Sequence, residues 1–469
     1  MTQPILPRPA APRRWWSHKA AGVQAPMRSR ASSNTGGSAQ SARLLLVNQH
    51  YWPDHASTAQ HLTDLAEALA EQGHEVHVVC SRGASRPGSP ARKRKEVHNG
   101  VTIHRVGASS LGRRSVLRRM CDYLSFHLGA TIKALRLRRP DLVITLTTPP
   151  LIALIGYLLR CLRGSRHVYW SMDLHPDASI ALGLMNRRRR SVRFFVWLSD
   201  LLYRKADQVV ALGPYMEDRL IAKGVSPRRL CVIPVWGRRD EAESAPSSIR
   251  QSLGLKDEYL FMYSGNHGLA HSFDEILEAA RRLKHRPDIH FVFVGDGPRL
   301  REVVDAKALF GLNQVHLLDF VPRAALQESL AEADAHVVTL RQEMTGICVP
   351  SKVYGAMSVA RPLVFVGPEH CEAADTLRAA DCGLTVRPGD VDGLVAALER
   401  LANDRPSSRQ MGERGLSTFS AEFEREACCA RWCWLVGELA RGETNAPRVQ
   451  QDRQDRAALP TVERATVAH

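Results

Sequence analysis

A chain of 469 residues exceeds one ordinary core, and at roughly 150 residues per domain it should form two or three units. With 44% hydrophobic and 24% charged residues it has a globular composition rather than that of a disordered or fibrous chain. No apolar run reaches the ~18 residues of a transmembrane helix; the longest, Leu151 to Leu159, stops at Arg160.

The net charge of +16 is uneven. Residues 1–40 hold six Lys/Arg and no acid, residues 113–139 hold eight bases against Asp122, and residues 187–205 hold seven against Asp200. A one-sided basic surface attracts an anionic membrane or a polyanion, although charge runs also serve simply as solvated surface. The basic N-terminus has no apolar stretch of signal-peptide type, so a cytoplasmic protein is expected. Ten cysteines without a CxxC pair fit reduced thiols, and Cys429 and Cys433 lack partners for a metal.

Residues 1–40, rich in Pro, Ala, Arg, Ser and Gly, read as a disordered basic arm in which Trp15 and Trp16 could touch a membrane interface. Order is expected from 41 to 237. The buried-type strand Arg43–Asn48 runs into Gln49–Thr58; a helix with Leu62, Leu65, Ala66 and Leu69 on one face closes at Gly73, and the strand Glu75–Cys80 follows. Strand, helix, strand is a βαβ unit and makes the sheet parallel. Further strands are predicted at Val101–Val106, Leu142–Thr145, His167–Trp170 and Gln208–Ala211.

The polar run 238–248 reads as a linker, and a second α/β unit occupies 249–412. Its strands are predicted at Tyr259–Tyr263, His290–Val294, Val315–Leu318, Ala335–Leu340 and Leu363–Val366, with helices at Phe273–Leu283, Arg299–Lys307 and Ala324–Glu332. Helices are expected within 413–441, the main one from Ala421 to Leu439 after a polar Asp404–Ser408 turn, and 442–469 reads as a disordered tail. The α/β architecture therefore occurs twice. In such open sheets ligands sit at the C-terminal strand ends.

Chemistry concentrates at those ends. Gly346–Pro362, GICVPSKVYGAMSVARP, turns from loop to helix with Ser351 and Lys352 at the corner, a place for a phosphate. In Tyr263–Phe273, Gly265 and Gly268 let the backbone approach a ligand, and Asn266 and His271 stand in the same loop. Phe291–Leu300 ends in a Val-Gly-Asp-Gly-Pro turn without the third glycine of a dinucleotide fingerprint, so Asp296 is read as a turn residue. Tyr169–Ala178 brings Asp173 and His175 to a strand end, where they could orient an acceptor hydroxyl or take its proton, or merely cap and turn the chain. His50, His55 and Ser57 line the first βα loop, although lone histidines are usually structural.

Pro350-Ser351-Lys352 with its small-residue helix and Arg361-Pro362-Leu363-Val364, the Val294–Pro298 turn and the Asp-Leu-His-Pro-Asp run at Asp173–Asp177 together resemble family 4 glycosyltransferases. These are enzymes of the GT-B fold, α/β proteins with two Rossmann-like doubly wound domains facing a central cleft. The likeness is to the branch that builds bacterial exopolysaccharide, colanic acid or O-antigen on polyprenyl diphosphate lipids. It spans roughly residues 43–440, and it implies a nucleotide-sugar donor bound by the second domain; no metal-binding carboxylate motif stands out, so metal-independent transfer without another cofactor is expected.

The resemblance places the donor at Gly265, Asn266, His271, Val321, Ser351 and Lys352, with the base near Val321. The loop's usual Arg and Lys fall on Asn266 and His271, which leaves Lys352 as the main cation. Of the family's two glutamates eight positions apart, the ribose-binding one falls on Gly355, and Glu343 is the candidate for the sugar-facing acid.

What the resemblance implies is a retaining transfer from a nucleotide diphosphate sugar, UDP-sugar being the first expectation, to a lipid-linked or saccharide acceptor, on the inner face of the plasma membrane. Arg113–Arg139 and Arg187–Lys205 would meet the anionic lipid, and nucleic acid is not an expected partner. A nucleotide-sugar epimerase and a non-catalytic scaffold of the same fold remain as alternatives, and a nucleic-acid binder would lack a recognised module.

Overall fold

The computed structural model describes residues 41–54, 56–82, 92–107, 116–239 and 249–442. The arm 1–40, most of the expected linker, the tail 443–469 and His55 lie outside them. Two parallel sheets carry the molecule, each covered by helices on both faces.

The first sheet comprises β1 (Arg43–Val47), β2 (Glu75–Ser81), β3 (Lys95–His98), β4 (Val101–Val106), β5 (Leu142–Thr145), β6 (Arg166–Trp170), β7 (Gln208–Ala211) and β8 (Leu230–Val232). Its order is β3-β4-β2-β1-β5-β6-β7-β8, with only β3 antiparallel to its neighbour. The central strands are almost continuous apolar runs, as strands buried on both faces must be. β3 escaped sequence reading because KEVH alternates polar and apolar residues over one edge hairpin at Asn99-Gly100, and β8 because it is three residues long.

The second sheet comprises β9 (Tyr259–Ser264), β10 (Ile289–Val294), β11 (Val315–Leu318), β12 (Ala335–Thr339), β13 (Leu363–Val366) and β14 (Gly383–Val386), in the order β11-β10-β9-β12-β13-β14. All its pairings are parallel. Its core is dominated by rings, Phe261, Phe273, Phe291 and Phe293 among them, all fully buried.

The end of the chain departs from expectation. The predicted helix Ala421–Leu439 is two helices, Arg405–Glu422 and Arg425–Arg441, and the expected Asp404–Ser408 turn is the start of the first. Asp404 caps it, its carboxylate accepting from Ser407 N at 3.1 Å, and Pro406 sits in the first turn, where a missing N–H costs nothing. A polar, proline-bearing sequence thus looks like a turn and folds as a helix start.

Arg405–Glu422 packs on the second sheet's helices, whereas Arg425–Arg441 returns to the first domain. There Trp432, fully buried, meets Trp170 with ring centroids 4.7 Å apart, and Arg166 donates to the Leu439 carbonyl at 2.8 Å. Cys428 and Cys429 are buried in this seam as small hydrophobes, burial raising both thiols. Beside the crossing, Gly237 N donates to Phe423 O at 3.0 Å, so both connections between domains run together.

Candidate active site

The loops after β6 and β7 meet those after β12 and β13, which brings the C-terminal strand ends of the two sheets face to face. Leu174 N donates to Ile347 O at 3.0 Å, and Arg219 Nε to Thr345 O at 2.6 Å. Tyr215 Oη donates to Asp375 Oδ2 at 2.8 Å, and Met216 N to Glu372 Oε1 at 3.1 Å.

On the first-domain side, the loop after β1 holds His50. Asn48 Nδ2 donates to its carbonyl at 2.7 Å, and its Nδ1 lies 3.3 Å from Asp54 Oδ2. Asp54 is buried and paired at 2.6 Å with Arg92, so His50 is oriented by a fixed carboxylate. Ser57 is exposed as the first residue of the helix Ser57–Glu71.

After β6 comes the Asp173–His175 pair. Ser199 Oγ donates to the His175 carbonyl at 2.6 Å, and the Leu174–Ile347 bond pins the residue between them to the second domain. Burial raises the Asp173 carboxyl, with the nearby His175 working in the opposite direction. A carboxylate destabilised in this way is a stronger base than an exposed one.

On the second-domain side, Lys352 reaches back over the loop that follows β9. Its Nζ lies 3.0 Å from His271 Nε2 and 5.1 Å from the centre of the Tyr263 ring. His271 Nδ1 sits 2.6 Å from the Thr339 carbonyl, which accepts only a proton-bearing nitrogen; Nε2 is therefore the lone pair that receives Lys352.

Burial, reinforced by the lysine's charge, lowers His271 to about 3, so it stays neutral. Burial likewise lowers Lys352 from 10.5 to about 8. Gly265 is required beside it: its φ is +123°, and a Cβ there would come within 3.0 Å of Lys352 Cε.

The loop is braced on both flanks. Tyr263 Oη donates to Asn266 O at 2.9 Å, and Arg299, paired with Glu302 at 2.7 Å, donates to the His271 carbonyl. Asn266 itself is exposed. At Gly295, φ +121°, a side chain would strike the Gly265 carbonyl and crowd the Phe320 ring at 3.2 Å. Phe320 is 41% exposed, while its neighbour Val321 is half-buried against the core beneath β9 and β10. Asp296 accepts from Gly297 N at 2.7 Å, the turn role expected of it.

Three placements modify the sequence reading. The helix Lys352–Ser358 has only seven residues and Ser351 makes no side-chain cap, so the lysine charge rather than a long helix dipole dominates the corner. Gly355 offers no carboxylate, and the nearest atom to a Cβ there would be Leu330 Cδ1 at 3.5 Å. Glu343, the candidate sugar-facing acid, lies on the short turn Gln342–Met344, is exposed and pairs with Arg341 at 3.5 Å.

The structure thus gathers Gly265, His271 and Lys352 into one contact set, with Asn266 and Ser351 beside it and Asp173 and His175 across the cleft. Sequence reasoning missed Tyr263, Arg299 and Glu372, since a tyrosine near the end of an apolar strand, an arginine just before a helix and an acid at an ordinary helix start carry no spacing signal. Among the described residues no cluster of three or more His, Cys, Asp or Glu could hold a metal, and no helix is long and apolar enough to cross a membrane.

A two-domain α/β enzyme of GT-B fold, with a cation at the strand ends of its second domain, is what this geometry defines. Residues 58–236 match the glycosyl transferase 4-like domain and residues 247–418 match glycosyl transferases group 1, together about three quarters of the chain. The chain belongs to the glycosyltransferases that pair these two domains, and it is a transferase.

Two relatives are informative. The provisionally named glycosyltransferase WbjE of Pseudomonas aeruginosa is 26% identical over 63% of this chain and 76% of its own length. The protein provisionally named as a colanic acid biosynthesis glycosyl transferase, WcaI of Escherichia coli K12, is 25% identical over 80% of this chain and 96% of its own. Among solved structures, HepE of Anabaena in complex with UDP-glucose superposes with a TM-score of 0.64 over 85% of this chain and all of HepE. At 15% identity this shows a shared fold.

Proposed function

We propose that the protein moves a sugar from a nucleoside diphosphate sugar, with UDP the first choice, to a lipid-linked acceptor in cell-surface polysaccharide assembly, with retention at the anomeric carbon. The observation that carries this reading is Lys352, a desolvated ammonium set against Gly265 and His271 at the mouth of the interdomain cleft. A leaving diphosphate gathers negative charge as the glycosidic bond breaks, and a preorganised cation in a partly desolvated slot stabilises that charge more than one free in water. Ser351 and the exposed Asn266 amide add hydrogen-bond donors, and no divalent cation is required in this scheme. Asp173 and His175 orient the acceptor hydroxyl and take its proton. The UDP preference is supported by the fold shared with HepE, and polysaccharide assembly by the relatives WbjE and WcaI.

A lipid acceptor is supported by the outer face of the first domain. The helix Val116–Arg136 exposes Met120, Leu124, Leu128 and Ile132 at four-residue spacing, one stripe along its length, with Lys133 and Arg136 at its end. Its neighbour Ala153–Arg163 adds Leu162, and the next helix, Arg190–Lys205, adds Phe194 and Trp197, beside the exposed arginines Arg187 to Arg190. Exposed apolar residues fringed by arginine fit the interface of an anionic bilayer.

The test is calorimetric titration of the purified protein with UDP, GDP, ADP and dTDP, with and without Mg²⁺. Saturable, metal-independent binding of one nucleotide that weakens at least tenfold in Lys352→Ala is expected. Binding of none of them would favour a non-catalytic scaffold of this fold.

A further inference from the structure

At the opposite, N-terminal end of the second sheet's strands lies a cavity of about 370 Å³ that the donor reading leaves unused. Tyr259 at the start of β9, Asp334 just before β12 and Arg361 just before β13 form its floor. Arg405, Ser408 and Arg409, from the first turns of the helix Arg405–Glu422, form its roof. β9 is six residues long, which puts the cavity about 17 Å from the Gly265 end of the same strand.

Its electrostatics are unbalanced. Arg361, Arg405 and Arg409 line it, and the single carboxylate, Asp334, is already engaged: Oδ2 takes Arg250 and the Leu260 N–H, and Oδ1 lies 4.0 Å from Arg405. Arg361 spends two N–H groups on the Ala331 carbonyl, at 3.1 and 2.6 Å, and forms no ion pair among the described residues. Burial lowers its pKa; Asp334 offsets this in part, and Arg409 and Arg250 push it further down. Arg405 lies over the Tyr259 ring, 5.3 Å from its centre, and Arg409 is exposed with no ion pair among the described residues. Tyr259 Oη and Ser408 Oγ, 2.6 Å apart, add hydroxyls to the lining.

Converging guanidiniums in a partly dry cavity repel one another, and a multivalent anion relieves that repulsion with charge-assisted hydrogen bonds. The volume lies within the range of small-ligand pockets. We infer that this cavity is a second anion site, which takes a phosphate-bearing small molecule of nucleotide or sugar-phosphate size, separate from the donor cleft.

The site is joined to that cleft by one rigid piece. Arg361 closes the turn after the helix Lys352–Ser358, its N–H bonded to the Ala356 carbonyl at 3.2 Å, and Lys352 opens the same helix. The helix that carries Arg405 and Arg409 packs along it, with Gly412 so close that a Cβ would overlap the Ala360 carbonyl. An anion drawn between Arg361 and Arg409 therefore acts on the element that positions Lys352.

The test uses sodium pyrophosphate as probe, titrated calorimetrically into the full chain at constant ionic strength set with chloride. Lys352→Ala removes the donor-side cation, and Arg409→Glu reverses an exposed charge that forms no ion pair among the described residues. Pyrophosphate is expected to bind Lys352→Ala saturably and to bind the Lys352→Ala/Arg409→Glu double variant at least tenfold more weakly. No binding to Lys352→Ala, or equal binding to the double variant, would overturn the inference. The readout is independent of nucleotide binding, so a failure of the donor assignment leaves it interpretable.

Discussion

Lys352 makes a quantitative prediction because its proton is held loosely. In a half-buried slot whose closest polar neighbour is the neutral Nε2 of His271, its pKa falls from 10.5 to about 8. A diphosphate beside it restores the charged form and raises the pKa again, since an opposite charge within reach favours the ammonium. At pH 8 the free protein is about half protonated at this position and the complex almost fully, so each nucleotide bound should take up about half a proton. At pH 6.5 the uptake by Lys352 should be close to zero. Calorimetric titration with UDP at pH 8 in two buffers of different ionisation enthalpy reads this number directly. Lys352→Met should abolish the uptake and weaken binding by about 1.5–3 kcal/mol, or roughly 10- to 150-fold, as expected for a hydrogen bond to a charged group. If wild-type protein binds UDP at pH 8 with no proton uptake, the diphosphate does not sit on Lys352 and the donor assignment fails.

Gly265→Ala should lower nucleotide affinity at least tenfold while the protein stays folded, because φ +123° and the 3.0 Å approach to Lys352 Cε displace the lysine; titration and circular dichroism together check this. Asp173→Asn should slow sugar transfer by about 10²–10⁴-fold with nucleotide affinity little changed, and a loss of affinity instead would move Asp173 from the acceptor to the donor side. Glu372, buried at the domain interface, is raised from 4.5 to about 7 by desolvation, and the N–H donors around it only partly counter this. A raised carboxyl binds its proton more tightly in the folded state, so its contribution to stability is greatest below pH 4.5. That contribution falls as pH rises towards 7 and is flat above. Glu372→Gln should therefore remove about 2.5 kcal/mol of destabilisation between pH 5 and pH 8 in denaturant titrations, and an unchanged pH profile would show that the carboxyl ionises without cost. Replacing Arg187 to Arg190 by Ser should weaken binding to anionic vesicles by about 1 kcal/mol per arginine, roughly fivefold each, as measured by co-sedimentation at physiological salt.

The fold was legible wherever burial on both faces left a strong sequence signature. Runs such as RLLLV at β1, YLFMYS at β9 and LVFV at β13 have little polar content because both sides of each strand are covered. β3 and β14 were not legible: one is a half-exposed edge, and the other is a four-residue strand with only Val386 buried. The site was half legible. Lys352, Gly265 and His271 sit in recognisable loops, but nothing in the spacing says that the lysine folds back onto the histidine, because positions 271 and 352 meet only once β9 and β12 are neighbours. Glu372 was invisible for the same reason: its partner is the backbone of a helix start 156 positions away in the other domain.

The replacements in the donor loop then form a consistent set. Had position 271 carried a second cation beside Lys352, two positive charges 3 Å apart would need a permanent counter-ion to remain buried together. With a neutral imidazole fixed by the Thr339 carbonyl, the lysine has an acceptor instead, and the half-buried slot needs no counter-ion, at the expense of some of the lysine's charge. A donor diphosphate would then be met by one cation that regains its full charge on binding, rather than by two that hold it throughout. This arrangement trades resting charge for response to ligand, and on this view His271→Lys would not strengthen the site. It would place a second ammonium against Lys352, drive one of the two to its neutral form, and leave the net charge facing the donor nearly unchanged at pH 8.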